Sequence, residues 1–139
     1  MKKIFISYAS KDLWVKEWLV PHLEGYGIEV QADYKTFLIG ISSLENIESA
    51  IENSHHTFFI ITENWLQSEW TELESLILQT ESPANRDLKY YVLKREECKI
   101  PKRLKPFTYL DLTDESMLED QIGRLLQQIG ITSHSLSHS

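Results

Sequence analysis

Trp70 and Glu74 stand four residues apart in the run Ser68-Glu69-Trp70-Thr71-Glu72-Leu73-Glu74. On a helix that spacing puts both side chains on one face, about 5 to 6 Å apart at Cβ, so a carboxylate would lie beside a large flat ring. Such a pair suits a nucleotide sugar. The ring packs a sugar or a base, while an ionised carboxylate accepts hydrogen bonds from ribose hydroxyls and stabilises a nearby positive charge. Taken alone, a Trp and a Glu at this spacing are more often a core anchor and a solvated charge. Two further segments carry chemistry. Ser7-Tyr8-Ala9-Ser10 follows a short β-rich run and leads into a helix, so its backbone N–H groups can hold a phosphate with help from the helix dipole. The chain has no Gly-rich fingerprint of the phosphate-loop or dinucleotide type. The stretch Asp33 to Ser42 places Phe37, Leu38, Ile39 and Ile41 where a connection is ordinarily polar. These side chains either dock against a partner or fold beneath the loop as a satellite cluster, and Gly40 lends backbone freedom in both cases.

The elements that would position these residues alternate from end to end, the pattern of a parallel sheet covered by helices. Ile4-Phe5-Ile6 reads as strand one. Trp14, Val15, Trp18, Leu19, Leu23 and Tyr26 then recur at helical spacing, with Ser10 or Asp12 as cap and Gly25 and Gly27 as the stop. Strand two is Ile28 to Ala32, and helix two runs from about Ser43 to Asn53. Strand three, Thr57 to Thr62, is almost wholly apolar and therefore central. Helix three starts near Ser68, strand four covers Asp87 to Leu93, strand five Phe107 to Leu112, and Met117 to Ile129 closes the domain as an amphipathic helix.

With 139 residues, 42% hydrophobic and 25% charged, the chain fits one soluble domain over residues 1–131, with 132–139 as a flexible tail or the start of a linker. Lys and Arg number 14 against 21 for Asp and Glu, a net charge of −7, which disfavours nucleic acid and anionic membrane surfaces as partners. The lone Cys98 excludes an internal disulfide, no apolar run approaches a membrane span, and the basic start lacks a cleavage site, so the chain is expected in the cytoplasm. His55-His56 has no further ligand at metal spacing and Cys98 no His partner nearby, so no metal site and no catalytic thiol are expected.

With these segments in order, the chain resembles a TIR domain, the Toll/interleukin-1 receptor fold, and within it the bacterial NAD-cleaving branch. Ile4-Phe5-Ile6-Ser7-Tyr8 is similar to the family's first box, Asp33 to Gly40 to its long loop after strand two, Phe58-Phe59-Ile60-Ile61-Thr62 to its central strand, and Ser68-Glu69-Trp70 through Glu74 to its third-helix motif. The resemblance implies an α/β fold, a flavodoxin-like open parallel sheet of five strands with helices on both faces. It also implies a choice between two activities, a signalling scaffold and an NAD+ hydrolase or cyclase. In enzymatic members a glutamate four residues after the helix-three Trp carries catalysis, and Glu74 holds that place. Ala9, Ser10, Leu38, Ser42 and Trp70 match positions that line the nucleotide site. Ala9 and Ser10 are small and uncharged here, Leu38 stands where some enzymatic relatives have Glu, and Ser42 where an aromatic occurs. Self-association through Phe37, Leu38, Ile39, Gly40 and Ile41 is implied as well, with a sensor domain or protein as trigger and antiphage defence as the setting. NAD+ enters as substrate and no cofactor is expected.

One carboxylate suffices for the implied reaction. Glycoside hydrolysis ordinarily needs an acid for the leaving oxygen and a second carboxylate. Nicotinamide is already cationic and leaves as a neutral base, so the task left is to stabilise an oxocarbenium-like ribose. Capture by water gives ADP-ribose, and capture within the nucleotide gives a cyclic isomer. Glu72 falls about 200° round the helix from Glu74 and is assigned to the helix N-terminus with Glu69. The alternative is a non-catalytic adaptor acting through TIR–TIR assembly. A phosphoacceptor receiver, which shares the element order, needs acidic residues at the end of strand one, where this chain has Ile6-Ser7-Tyr8.

Overall fold

Successive residues of a strand face opposite sides of a sheet, and a strand buried on both sides must be apolar throughout. The computed structural model describes residues 2–32, 43–71, 73–74, 90–105 and 107–131. In it β1 (Lys3–Ser7) sends Ile4 and Ile6 into one core and Phe5 into a second. β2 (Glu29–Ala32) lies beside it with Ile4 opposite Val30. β3 (His56–Ile61) divides its side chains as β1 does, Phe58 and Ile60 to the first core, Phe59 and Ile61 to the second. β4 (Tyr90–Lys94) and the edge strand β5 (Thr108–Asp111) complete a five-stranded sheet in the order β2-β1-β3-β4-β5, parallel throughout. This is the sheet expected from the sequence.

One face is covered by the first and last helices. Val15–Leu19 forms a π-helical stretch that runs on into α1 (Val20–Glu24), with the Val20 N–H closing onto the Val15 carbonyl. Pro21 accounts for the widening. Its ring would collide with the carbonyl four residues back, and a wider preceding turn removes the collision. Gly27, at φ 81°, turns the chain into β2. The i, i+4 spacing of Trp14, Trp18, His22 and Tyr26 gives a ladder of rings, Trp18 stacked on His22 at 4.5 Å, that packs beside the first core. The other face is covered by α2 (Ser43–Glu52) and α3 (Glu63–Ser68), with Ile47, Ala50, Ile51 and Trp65 buried there. α4 (Leu118–Gln128) returns to the first face through Ile122, Leu125 and Leu126.

Two expectations need correction. Helical structure after β3 begins at Glu63, not near Ser68. Thr62 caps it, its Oγ1 accepting from the Trp65 N–H at 3.1 Å, and Ser68 ends this first segment before Trp70, Thr71, Leu73 and Glu74 resume helically. Asp12 does not cap its own helix with its side chain; it reaches across the molecule instead. β4 is observed from Tyr90, and residues 87–89 lie outside the described residues. The same holds for the stretch 33–42 with all of Phe37, Leu38, Ile39, Gly40, Ile41 and Ser42, for Glu72, and for the tail 132–139.

Candidate functional site

Ligands of open parallel sheets bind beyond the carboxyl ends of the strands, and there two cross-links tie the end of β1 to the start of α3. The first centres on Asp12, a nearly buried carboxylate. Its Oδ2 accepts from Thr62 Oγ1 at 2.5 Å and its Oδ1 from Asn64 Nδ2 at 2.9 Å. Thr62 Oγ1 therefore donates to Asp12 while accepting from the Trp65 N–H, so the cap of α3 is itself held by the first loop. The second link is the Trp65 indole, fully buried, whose Nε1 donates to Ser7 Oγ at 3.1 Å.

Between these links opens a shallow cavity of about 130 Å³ lined by Ala9, Ser10, Lys11, Asn64, Gln67 and Ser68. Ser68 Oγ already donates to the Asn64 carbonyl and Asn64 Nδ2 to Asp12, which leaves Ser10, Lys11 and Gln67 to face an incoming group. That set can hold a small polar or anionic moiety by hydrogen bonds and one positive charge. The turn that builds it is closed on itself by an N–H of Asp12 donating to the Ala9 carbonyl at 2.9 Å.

The expected site residues separate into three groups. Ala9, buried, and Ser10 line the cavity. Trp70 is half-buried against the second core, its ring 5.7 Å from that of Trp65, and is not among the cavity's lining residues. Glu74, also not among them, follows the buried Leu73 and directs Oε2 toward Arg103 Nε at 3.7 Å. Leu38 and Ser42 lie outside the described residues. The contributions of Asp12 through its side chain, of Asn64 and Gln67, and of Arg103 were not legible beforehand. Only the Thr62-Glu63-Asn64-Trp65 cap carried a local signal.

Neighbouring groups have structural roles. His55 Nδ1 accepts from the Lys3 N–H at 2.9 Å at the opposite end of the sheet, and His56 is buried with its ring edge-on to Tyr91. No group of three or more His, Cys, Asp or Glu able to hold a metal occurs among the described residues. Cys98 is half-buried, and burial pushes its thiol above the ordinary range, the opposite of an activated nucleophile. Among the described residues no helix is long and apolar enough to cross a membrane.

A protein-family model described as TIR domain matches residues 4–126. The chain belongs to the TIR domain family. Human Toll-like receptor 1 is 41% identical over 71 residues, covering 50% of this chain and 9% of the receptor. Horse Toll-like receptor 2 is 29% identical over 133 residues, covering 83% of this chain and 16% of the receptor. The chain thus spans a small fraction of the length of these relatives. Among solved structures, the TIR domain of the Toll-related receptor TRR-2 from Hydra magnipapillata superposes with a TM-score of 0.74 at 25% identity, covering 93% of this chain and 98% of that one. A prokaryotic SEFIR domain shares the fold with a TM-score of 0.69 at 16% identity, covering 94% and 99%. None of these four is named as an NAD-cleaving enzyme.

Proposed function

We propose that this TIR domain is an assembly module, a scaffold that transmits a signal by contact with other TIR domains. The observation that carries the reading is the match of the TIR family model over residues 4–126 joined to relatives that are themselves named as receptors. The apolar side chains of Phe37, Leu38, Ile39 and Ile41 are the contact assigned to the loop after β2. The test is self-association of the purified domain, followed by light scattering across concentration, for the wild type, Leu38→Glu and Glu74→Ala. Loss of association in Leu38→Glu with retention in Glu74→Ala is the expected result. A domain that stays monomeric at every concentration, and that forms nothing larger than the tag's own dimer when fused to a dimerising tag, refutes the reading.

A second reading, cleavage of NAD+ at the nicotinamide ribosyl bond, draws support from the cavity at the carboxyl ends of the strands, where Ala9 and Ser10 meet Lys11 and Gln67. Glu74 would stabilise the ribosyl cation, Trp70 would pack the nucleotide, and the product would be ADP-ribose or its cyclic isomer, in a bacterial defence setting with a sensor as trigger. Nicotinamide release by artificially clustered protein, lost in Glu74→Ala by about 10² to 10³ in rate, is the expected result. Release that survives the substitution removes Glu74 from the chemistry.

A further inference from the structure

A glutamate that stabilises a ribosyl cation must present negative charge that nothing else has neutralised. In the structure the Glu74 carboxylate is already answered: Oε2 lies 3.7 Å from Arg103 Nε, and the side chains are 44% and 39% exposed respectively. Each partner is fixed by a buried neighbour. Leu73 and Leu104 both sit in the second core, so the segment bearing Glu74 and the 3-10 turn Lys102–Leu104 are anchored against the same packing. The guanidinium is a permanent charge, and at this distance its Coulomb attraction for the carboxylate is of the order a ribosyl cation would offer from a similar distance. The two therefore compete for one anion. Because both side chains are more than a third exposed, the pair is weak and opens readily.

We propose that Arg103 is a counter-ion latch on Glu74, partly offsetting the carboxylate's charge in the resting domain and releasing it when the pair opens. The latch rests on the catalytic reading of Glu74 given above. It differs from a merely structural ion pair in the sign of its effect, since removal of the cation raises turnover instead of lowering it. No covalent step is involved; an ion pair separates and the freed carboxylate turns to the ribose.

The experiment uses the whole chain, clustered through a fused oligomerising tag, with NAD+ as substrate and nicotinamide release as readout, in wild type, Arg103→Gln, Arg103→Lys, Glu74→Gln and the double variant Glu74→Gln/Arg103→Gln. Thermal midpoints of the same set form a double-mutant cycle. Expected are a rise of about two- to fivefold in kcat/KM for Arg103→Gln at low salt, the scale of an exposed ion pair expressed as a rate, an intermediate value for Arg103→Lys, and loss of the gain at about 1 M salt. The double variant is expected to be inactive, and the two single midpoint shifts not to add. An unchanged or lower rate in Arg103→Gln overturns the latch and leaves the catalytic reading standing. Absence of nicotinamide release from both wild type and Arg103→Gln overturns the catalytic reading, and the latch with it. Strictly additive midpoint shifts overturn the ion pair itself, whatever the rates.

Discussion

Asp12 is the residue whose removal tests the architecture of the site most directly. Its carboxylate accepts one hydrogen bond from Thr62 and one from Asn64, with the group nearly buried. Hydrogen bonds to a charged group contribute roughly 1.5 to 3 kcal/mol each, so Asp12→Ala forfeits roughly 3 to 6 kcal/mol of gross interaction on that scale. Two returns offset part of this. The half-buried Asn64 amide turns to water once released, and the desolvation cost of the carboxylate itself disappears. The net loss is about 2 to 3 kcal/mol, a fall in Tm of about 7 to 10 °C for a domain of this length. Thr62→Val should cost about 1 kcal/mol through the lost cap and more through the hydrogen bond that the nearly buried Asp12 loses. Because Thr62 Oγ1 serves Asp12 and the Trp65 N–H together, the double variant Asp12→Ala/Thr62→Val should lose less than the two singles combined. Urea unfolding at pH 7 with a common m-value is the assay. A loss below about 1 kcal/mol for Asp12→Ala, or additivity of the pair, refutes the account of Asp12 as the clasp between the first loop and α3.

Trp65→Phe removes the Nε1 bond to Ser7 and part of a fully buried ring, and should cost about 2 to 3 kcal/mol in urea unfolding; a loss under about 1 kcal/mol contradicts the packing described. Asp111 accepts from the Thr113 hydroxyl at 2.6 Å and the Thr113 N–H at 2.8 Å, and these bonds, the hydroxyl first, hold its carboxyl below the usual carboxylate range. A folded value below the unfolded one gives stability that is present above the unfolded pKa of about 3.9 and is lost as pH falls through the lower folded value. Thr113→Val should therefore melt slightly earlier at pH 6, by less than about 0.5 kcal/mol at so exposed a site, with the gap closing in acid. Thermal melts over a pH series check this, and a gap that persists unchanged in acid refutes it.

The strands were legible because a single physical demand wrote them. β1 and β3 are buried on both faces, so Ile4-Phe5-Ile6 and Phe58-Phe59-Ile60-Ile61 have to be continuous apolar runs, and nothing local competes with that signal. The first helix was legible for a similar reason, Val15, Leu19 and Leu23 recurring on the buried side. Its π-helical stretch was not, since the cue is one proline whose effect falls on the turn before it. The start of α3 was missed because Thr62 closes an apolar run and reads as the last residue of a strand, although its hydroxyl is the cap of the helix that follows. Asp12 was legible only as a local cap, and its partners lie at sequence separations of 50 and 52 residues, which no periodicity can announce.

The same distinction decides how the two functional readings relate. Residue type and spacing singled out the turn 7–10 and Glu74, and the resemblance implied a nucleotide site for Ala9, Ser10 and Glu74; the fold places Ala9 and Ser10 in one cavity and sets Glu74 against Arg103, outside the lining of that cavity. Among the described residues the Glu74 carboxylate pairs with Arg103 and does not line that cavity. On the proposed catalytic reading, Glu74 would have to leave Arg103 first, and contact with a second copy is the event that the proposed assembly would supply. Under the two proposed readings assembly would precede catalysis, and the first is testable without the second. This order predicts a threshold: nicotinamide release, if the domain performs it, should rise more steeply than in proportion to protein concentration, and a strictly proportional rise refutes the dependence of one on the other.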